Sequence, residues 1–306
     1  MAKFLFWLGL LLVIAPRLSA EEPVVMNLWP QDAPTWAGTT EQEHDTSAGG
    51  GDLVAGRTVI RLGHVSIPQL YLWPSAGETQ QASQTTILIC PGGGYSILAW
   101  DLEGTEIAER MSEMGYRVGV IKYRVPTRAE PQPWLAPVQD VQRAVSIVRE
   151  LNVNAKRPDD LIGLVGFSAG GNAAARVAIA GTERFYEPID ATDQVSCQAD
   201  FAGLVYPWLM VDADHPSGII GEFALDGETP PVFFAHAIDD PVSCRNSLEF
   251  FSALQFRTRP AELHIFASGG HGFGARDANL PVANWPKLFD QWLRSAVIKP
   301  STTNSE

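Results

Sequence analysis

Past residue 56, hydrophobic positions fall into short apolar runs separated by stretches of helical spacing. "TTILIC", "YRVGVIKYR", "LIGLVGF", "FAGLVYP", "PVFFAHA" and "AELHIFA" have strand length and are apolar at most positions. Such runs suit strands buried on both faces. The earlier segments "TVIRLG" and "QLYLW" predict an opening antiparallel pair. In "PVQDVQRAVSIVRELN", Val138, Val141, Val145 and Val148 recur at steps of three and four, which predicts a helix with one apolar face. "EGTEIAERMSEMG" predicts a helix ending at Gly115; "SAGGNAAARVAIA", "CRNSLEFFSALQF" and "NWPKLFDQWLRSAV" predict three more. Strands alternating with helices imply an α/β fold, a mainly parallel central sheet with helices on both faces. No repeat or low-complexity linker divides it, so residues 56–298 read as a single domain.

The ends read differently. Residues 1–20 have the layout of a secretory signal peptide: Lys3, an apolar run over residues 4–15, then Pro16 and "RLSA" before "EE". The apolar run falls short of the roughly 20 residues needed to span a bilayer, so cleavage after Ala20 is expected rather than anchoring. The expected location is therefore secreted or periplasmic, with no membrane span after cleavage. Residues 21–55 are polar and loop-rich and predict an extended N-terminal arm, lying on the domain surface or loosely ordered; residues 299–306 form a C-terminal tail.

Composition narrows the function. Of 306 residues, 45% are hydrophobic and 19% charged, enough to fill a large core. The net charge of -13 repels phosphate backbones, which argues against nucleic-acid binding. Cys90, Cys197 and Cys244 permit at most one internal bridge. Cys197 and Cys244 are the pair that could form it; Cys90 ends an apolar strand and reads as a buried, inert thiol. No metal-ligand spacing, CxxC, HExxH or phosphate loop is present, and no metal or organic cofactor is expected.

In an open parallel sheet, ligands bind beyond the carboxyl ends of the strands. Four strand ends carry suggestive residues. "GFSAG" fits G-x-S-x-G at a strand-to-helix junction, where flanking glycines permit the tight turn that presents Ser168 as a nucleophile. A helix-capping serine is the plainer alternative. The glycines of "CPGGGY" would let backbone N–H groups approach a ligand oxygen, and Ala169 N–H would supply another donor. "HAIDDPV" offers an acid to orient a histidine: Asp239 is the choice and Asp240 the fallback. His271 sits in "SGGHGFG", a glycine-rich loop after a strand, and reads as the base. His264 lies within a strand and reads as packing; His236, at a strand end before the acid, reads as a neighbour supporting it.

The order Ser168, Asp239, His271 matches that of α/β-hydrolases. The motifs "LWPQDAP", "PGGGY", "WDLEGTEIAERM", "YRVP", "PVQDVQRAV", "PDDLIGLVGFSAGG", "HAIDDPV" and "GGHGFG" run in order along the chain. On these the chain resembles secreted bacterial acetyl-esterases and acetylxylan-esterase-like hydrolases of the α/β-hydrolase superfamily. The resemblance implies Ser168 as nucleophile, Asp239 as acid, His271 as base, and Gly93, Gly94 and Ala169 as oxyanion donors. Related esterases carry His-Gly-Gly-Gly where this chain has Pro91 before its glycines, a departure that bears on which amides point inward. The expected reaction is hydrolysis of a small-molecule or polysaccharide ester through an acyl-enzyme. A prolyl-oligopeptidase-like exopeptidase and a catalytically silent binding protein of the same fold are the alternatives. Tyr95, Trp100 and Trp208 lie in or near the active-site loops, where they would stack on sugar rings or pack the core. The polar segment "VDADHPSGIIGEFALDGETPP" is unlike a greasy lipase lid.

Overall fold

From the N-terminus the chain forms strands β1 (Val24–Asn27), β2 (His44–Asp45), β3 (Arg61–Gly63), β4 (Gln69–Trp73), β5 (Thr85–Cys90) and β6 (Leu98–Ala99), then helix α1 (Glu106–Glu113) and strand β7 (Arg117–Lys122). Helix α2 (Leu135–Asn154), strand β8 (Leu161–Phe167), helix α3 (Ser168–Ala180) and strands β9 (Phe201–Val205) and β10 (Val232–Ala237) follow. Helix α4 (Arg245–Phe256), strand β11 (Ala261–Phe266) and helix α5 (Trp285–Trp292) complete the fold. This computed structural model describes residues 22–298, apart from 37, 48, 49, 52, 74–80, 213–217, 224, 226–228, 258, 277 and 278. The expected signal peptide and C-terminal tail lie outside the described residues.

Eight strands form the central sheet in the order β1-β4-β7-β5-β8-β9-β10-β11. Neighbours from β7 to β11 run parallel, while β1, β4 and β7 pair antiparallel. Every residue of β5, β7, β9 and β10 is buried, because helices cover both faces. On one face Val138, Val141, Val145 and Val148 of α2 pack with alanines of α3 and with Phe250 and Leu254 of α4. On the other, Ile107 and Met111 of α1 meet Trp285, Phe289 and Trp292 of α5. The predicted fold class and face of α2 match this arrangement.

The expected pairing of "TVIRLG" with "QLYLW" does not form. β3 instead joins β2 and β6 in a small antiparallel sheet. β4 lies antiparallel between β7 and β1, the latter from the arm read as loop. Alternation alone fixes which residues face inward, not which strand lies alongside. The arm is also tied down beyond its strand. Trp29 Nε1 donates to Asp140 Oδ1 at 2.7 Å, and Arg124 reaches the carbonyls of Pro34 and Trp36 at 2.6 and 2.8 Å. Arg124 and Asp140 form a fully buried ion pair at 2.9 Å, flanked by the Trp29 ring. Cys90, Cys197 and Cys244 are all free thiols, so the Cys197–Cys244 bridge is absent. Cys197 is buried against the carbonyls of Gly181, Thr182 and Glu183, and Cys244 stands at the start of α4.

Candidate active site

The carboxyl ends of β5, β8, β10 and β11 bring the predicted loops together. Ser168 is the hinge between β8 and α3, and its φ of +50° is left-handed. A non-glycine residue rarely adopts this geometry, and strain of this kind collects at functional sites. The tight turn needs a close neighbour without a side chain: a Cβ on Gly170 would lie 2.1 Å from the Cys90 carbonyl oxygen. The start of α3 thus rests directly on the end of β5.

His271 Nε2 lies 3.0 Å from Ser168 Oγ, and His271 Nδ1 lies 2.8 Å from Asp240 Oδ2. A carboxylate only accepts, so Nδ1 carries the ring proton and Nε2 is free to accept from the serine hydroxyl. The carboxylate that meets the His271 ring is therefore that of Asp240, the fallback, and not that of Asp239. The reason is the turn that follows β10. Ile238 N–H still pairs with Phe266 O, extending the strand, and Asp239 projects outward. Asp240 N–H then turns back to Ala237 O, which sets its carboxylate beneath the histidine loop. Val242 N–H donates to Asp240 Oδ1 at 2.6 Å, and His236 Nε2 stands 3.3 Å from Oδ2. His236 Nε2 also reaches Val242 O at 2.9 Å, so that nitrogen bears its proton. Burial alone would raise the Asp240 pKa, but the hydrogen bonds from His236 and His271 outweigh it and hold the carboxyl below its usual range. Asp239 instead accepts Gly270 N–H at 2.8 Å, beside His271.

The serine, the histidine, Gly93, Gly94 and Trp208 line one open cleft of about 530 Å³. Ala169 is fully buried in the first turn of α3, next to the serine in the chain. Gly92 N–H is already committed to Glu103 Oε2 at 2.8 Å. Tyr95 and Trp100 do not line the cleft. Tyr95 is fully buried, with its hydroxyl donating to Asn172 Oδ1 at 2.9 Å. Trp100 packs edge-on against Tyr71, ring centroids 4.9 Å apart. A large aromatic in a loop gains more from burying its faces than from standing in solvent, and here the core takes both. Among the described residues, no group of three His, Cys, Asp or Glu side chains is arranged to hold a metal.

Residues unmarked in the motif reading complete the site. Glu103 lies in one wide turn of π type, Asp101–Thr105, just before α1. It is buried, takes Gly92 N–H on one oxygen, and faces Tyr206 Oη at 2.9 Å on the other. Gly274 N–H donates to the same Tyr206 oxygen at 3.1 Å, so the tyrosine proton points to Glu103. Burial raises the Glu103 pKa; the Tyr206 bond, the nearby His271 and the Gly92 bond pull against that rise without cancelling it. Arg276 locks the histidine loop from behind, with a two-point contact to Glu106 and a bond to Asp101. In sequence, Glu103 looks like a solvated acid opening an amphipathic helix, and nothing local separates it from Glu106.

The BD-FAE family model matches residues 73–218. The chain is 28% identical over 240 residues to an acetylxylan esterase of Xylanibacter ruminicola, covering 70% of this chain and 45% of that protein. It is 25% identical over 251 residues to endo-1,4-beta-xylanase B of Butyrivibrio fibrisolvens, covering 74% of this chain and 36% of that one. The chain thus spans less than half the length of these curated relatives. Among solved structures, an acetyl ester-xyloside bifunctional hydrolase from Caldicellulosiruptor lactoaceticus superposes with a TM-score of 0.65 at 28% identity, over 90% of this chain and 96% of that one. Propionate-bound esterase 2 of Thermogutta terrifontis gives 0.62 at 21% identity, over 81% and 95%, which shows the shared fold.

Proposed function

We propose that this protein, an α/β-hydrolase of the acetylxylan-esterase-like group, hydrolyses short-chain carboxylic esters, acetyl esters on carbohydrate above all. The observation that carries the reading is the continuous chain Ser168 Oγ, His271 Nε2, His271 Nδ1, Asp240 Oδ2, with links of 3.0 and 2.8 Å. In this reading His271 takes the Ser168 proton as the hydroxyl attacks the ester carbonyl. The Asp240 carboxylate keeps the ring in the required tautomer and stabilises the imidazolium that forms. Gly93, Gly94 and Ala169 amides receive the developing oxyanion, each donor contributing roughly 3 kcal/mol. His271 then protonates the leaving alcohol, and a water activated by the same nitrogen releases the acid from the acyl-serine.

Two further observations support this reading. The cleft is open and lined in part by arginines, unlike a greasy acyl tunnel. The relatives include an acetylxylan esterase and an acetyl ester-xyloside bifunctional hydrolase. Secretion or periplasmic export, the expected fate of a chain led by residues 1–20, would bring the enzyme to such polymers. The deciding experiment is acetate release from acetylated xylan beside a panel of simple esters, with Ser168→Ala as control. Absence of serine-dependent release from every ester would reject the reading.

A further inference from the structure

The cleft that holds Ser168 is also lined by Arg61 and Arg128, an unexpected pair on a chain of net charge -13. Arg128 is exposed, yet it makes defined contacts. Its guanidinium lies 4.8 Å from the Trp208 ring centroid, and Nη1 donates to Gly94 O at 3.3 Å. A Cβ on Gly94 would stand 2.6 Å from that same Nη1, so the glycine makes room for the arginine. Trp208 in turn is fixed by its N–H to Ser168 O at 3.0 Å. The cation is thus held two contacts from the nucleophile. Arg61, from β3, lines the same cleft from the small sheet.

Neither guanidinium has a carboxylate within ion-pair distance among the described residues. Asp45 feels the Arg61 charge, but takes its hydrogen bonds from Ser47 and from the Arg61 backbone N–H. Among the described residues lining the cleft the one acid is Glu103, and it is spent on Gly92 and Tyr206. Two guanidiniums on one lining, each of a type suited to two-point contact with a carboxylate, bring positive charge to the cleft.

We propose that Arg61 and Arg128 form an anion subsite beside Ser168, and that the preferred substrate is an acetylated saccharide that also carries a carboxylate, such as a uronic acid residue. The proposal rests on the ester-hydrolase reading and deepens it. It explains why positive charge converges at one cleft: attraction to an anionic chain is worth little at an exposed protein surface but grows beside a low-dielectric wall.

The experiment compares kcat/KM for acetylated xylo-oligosaccharides that bear a glucuronic acid branch with neutral ones of the same length. The expected preference for the charged substrate is about tenfold at low salt, shrinking as added salt screens the pair. Arg128→Gln should cut the preference several-fold, and the Arg61→Gln/Arg128→Gln double variant should bring it close to one. Arg128→Lys, which keeps the charge but loses the fork, should retain part of it. A role in packing alone would lower both rates together and leave their ratio unchanged. A wild-type ratio near one, or a ratio that neither substitution moves, overturns the subsite while leaving the esterase intact. Absence of serine-dependent acetate release from both substrates would remove the esterase reading and the subsite with it.

Discussion

Asp239 and Asp240 hold the same histidine loop from two sides: Asp239 grips the backbone N–H of Gly270, and Asp240 grips the ring of His271, each at 2.8 Å. One carboxylate sets where the loop lies, and the other sets which ring nitrogen carries the proton.

The two acids should therefore separate on substitution. In Asp239→Asn the amide oxygen still accepts Gly270 N–H, so kcat should fall by less than about threefold for a bond to an exposed acceptor. In Asp240→Asn the amide no longer enforces the Nδ1–H tautomer, and kcat should fall by about 10³–10⁴-fold. Steady-state rates on an aryl acetate decide it; a larger loss for Asp239→Asn would sink the geometric assignment.

Ser168→Ala and His271→Ala should each abolish turnover to a similar degree, and the double variant should lose little more, because the groups act as one unit. Circular dichroism and urea midpoints should show both variants folded. Residual Ser168→Ala activity above a few per cent, with contaminating esterase excluded, would contradict the nucleophile.

Glu103 supplies a test in pH. Its folded pKa is raised, so its contribution to stability is present below the ordinary glutamate range and lost as pH rises through the folded value. Asp240, with a lowered pKa, has the opposite sign: its contribution is present above the ordinary aspartate range and lost as pH falls through the folded value. Glu103→Gln can still accept Gly92 N–H, reverses the Tyr206 bond if its amide N–H faces the tyrosine oxygen, and cannot titrate. Wild-type stability relative to this variant should decline as pH is raised from about 4, near the ordinary glutamate pKa. Urea denaturation across that range measures it, and a constant difference would show that Glu103 does not titrate as described.

Acyl length should matter in one direction. Each methylene buried in an apolar pocket stabilises binding by about 0.8 kcal/mol, so an enzyme built for fatty acyl chains gains rate as the chain grows. Here acetate or propionate esters should be fastest, measured below micelle-forming concentrations. An optimum at octanoate or beyond would overturn the acetyl preference and leave the serine-hydrolase chemistry standing.

Much of this architecture is legible in sequence. Runs such as "TTILIC" and "LIGLVGF" report burial on both faces, and periodic valines report the covered face of α2. Ser168 and His271 can be found because glycine punctuation and strand ends are local signals. The carboxylate that meets His271 lies one residue beyond the expected Asp239 because a carboxylate's direction depends on the turn after β10, and neighbouring aspartates look alike in text. Tyr95 and Trp100 are legible as aromatics near the site, but burial is a property of the whole fold. Glu103, Arg128 and Arg276 act through partners up to 170 or more positions away, a distance over which no spacing rule operates.

The buried Arg124–Asp140 pair should be costly to break. Asp140→Ala would leave Arg124 charged and the Trp29 N–H unpaired, and should destabilise the fold by about 3–5 kcal/mol. A urea midpoint unchanged from wild type would show that the arm does not depend on it.

That tether also has a meaning in time. Trp29 and Asp140 are 111 positions apart, and Leu28 O meets Arg143 across 115. A ribosome adding about 5–20 residues per second leaves Trp29 without its partner for on the order of ten seconds. β4, the neighbour of β1 in the sheet, is made sooner, so during that interval β1 can pair on one side while its Trp29 anchor still waits for α2. β1 is thus paired before it is anchored, and its safety until then depends on whatever shields it during synthesis.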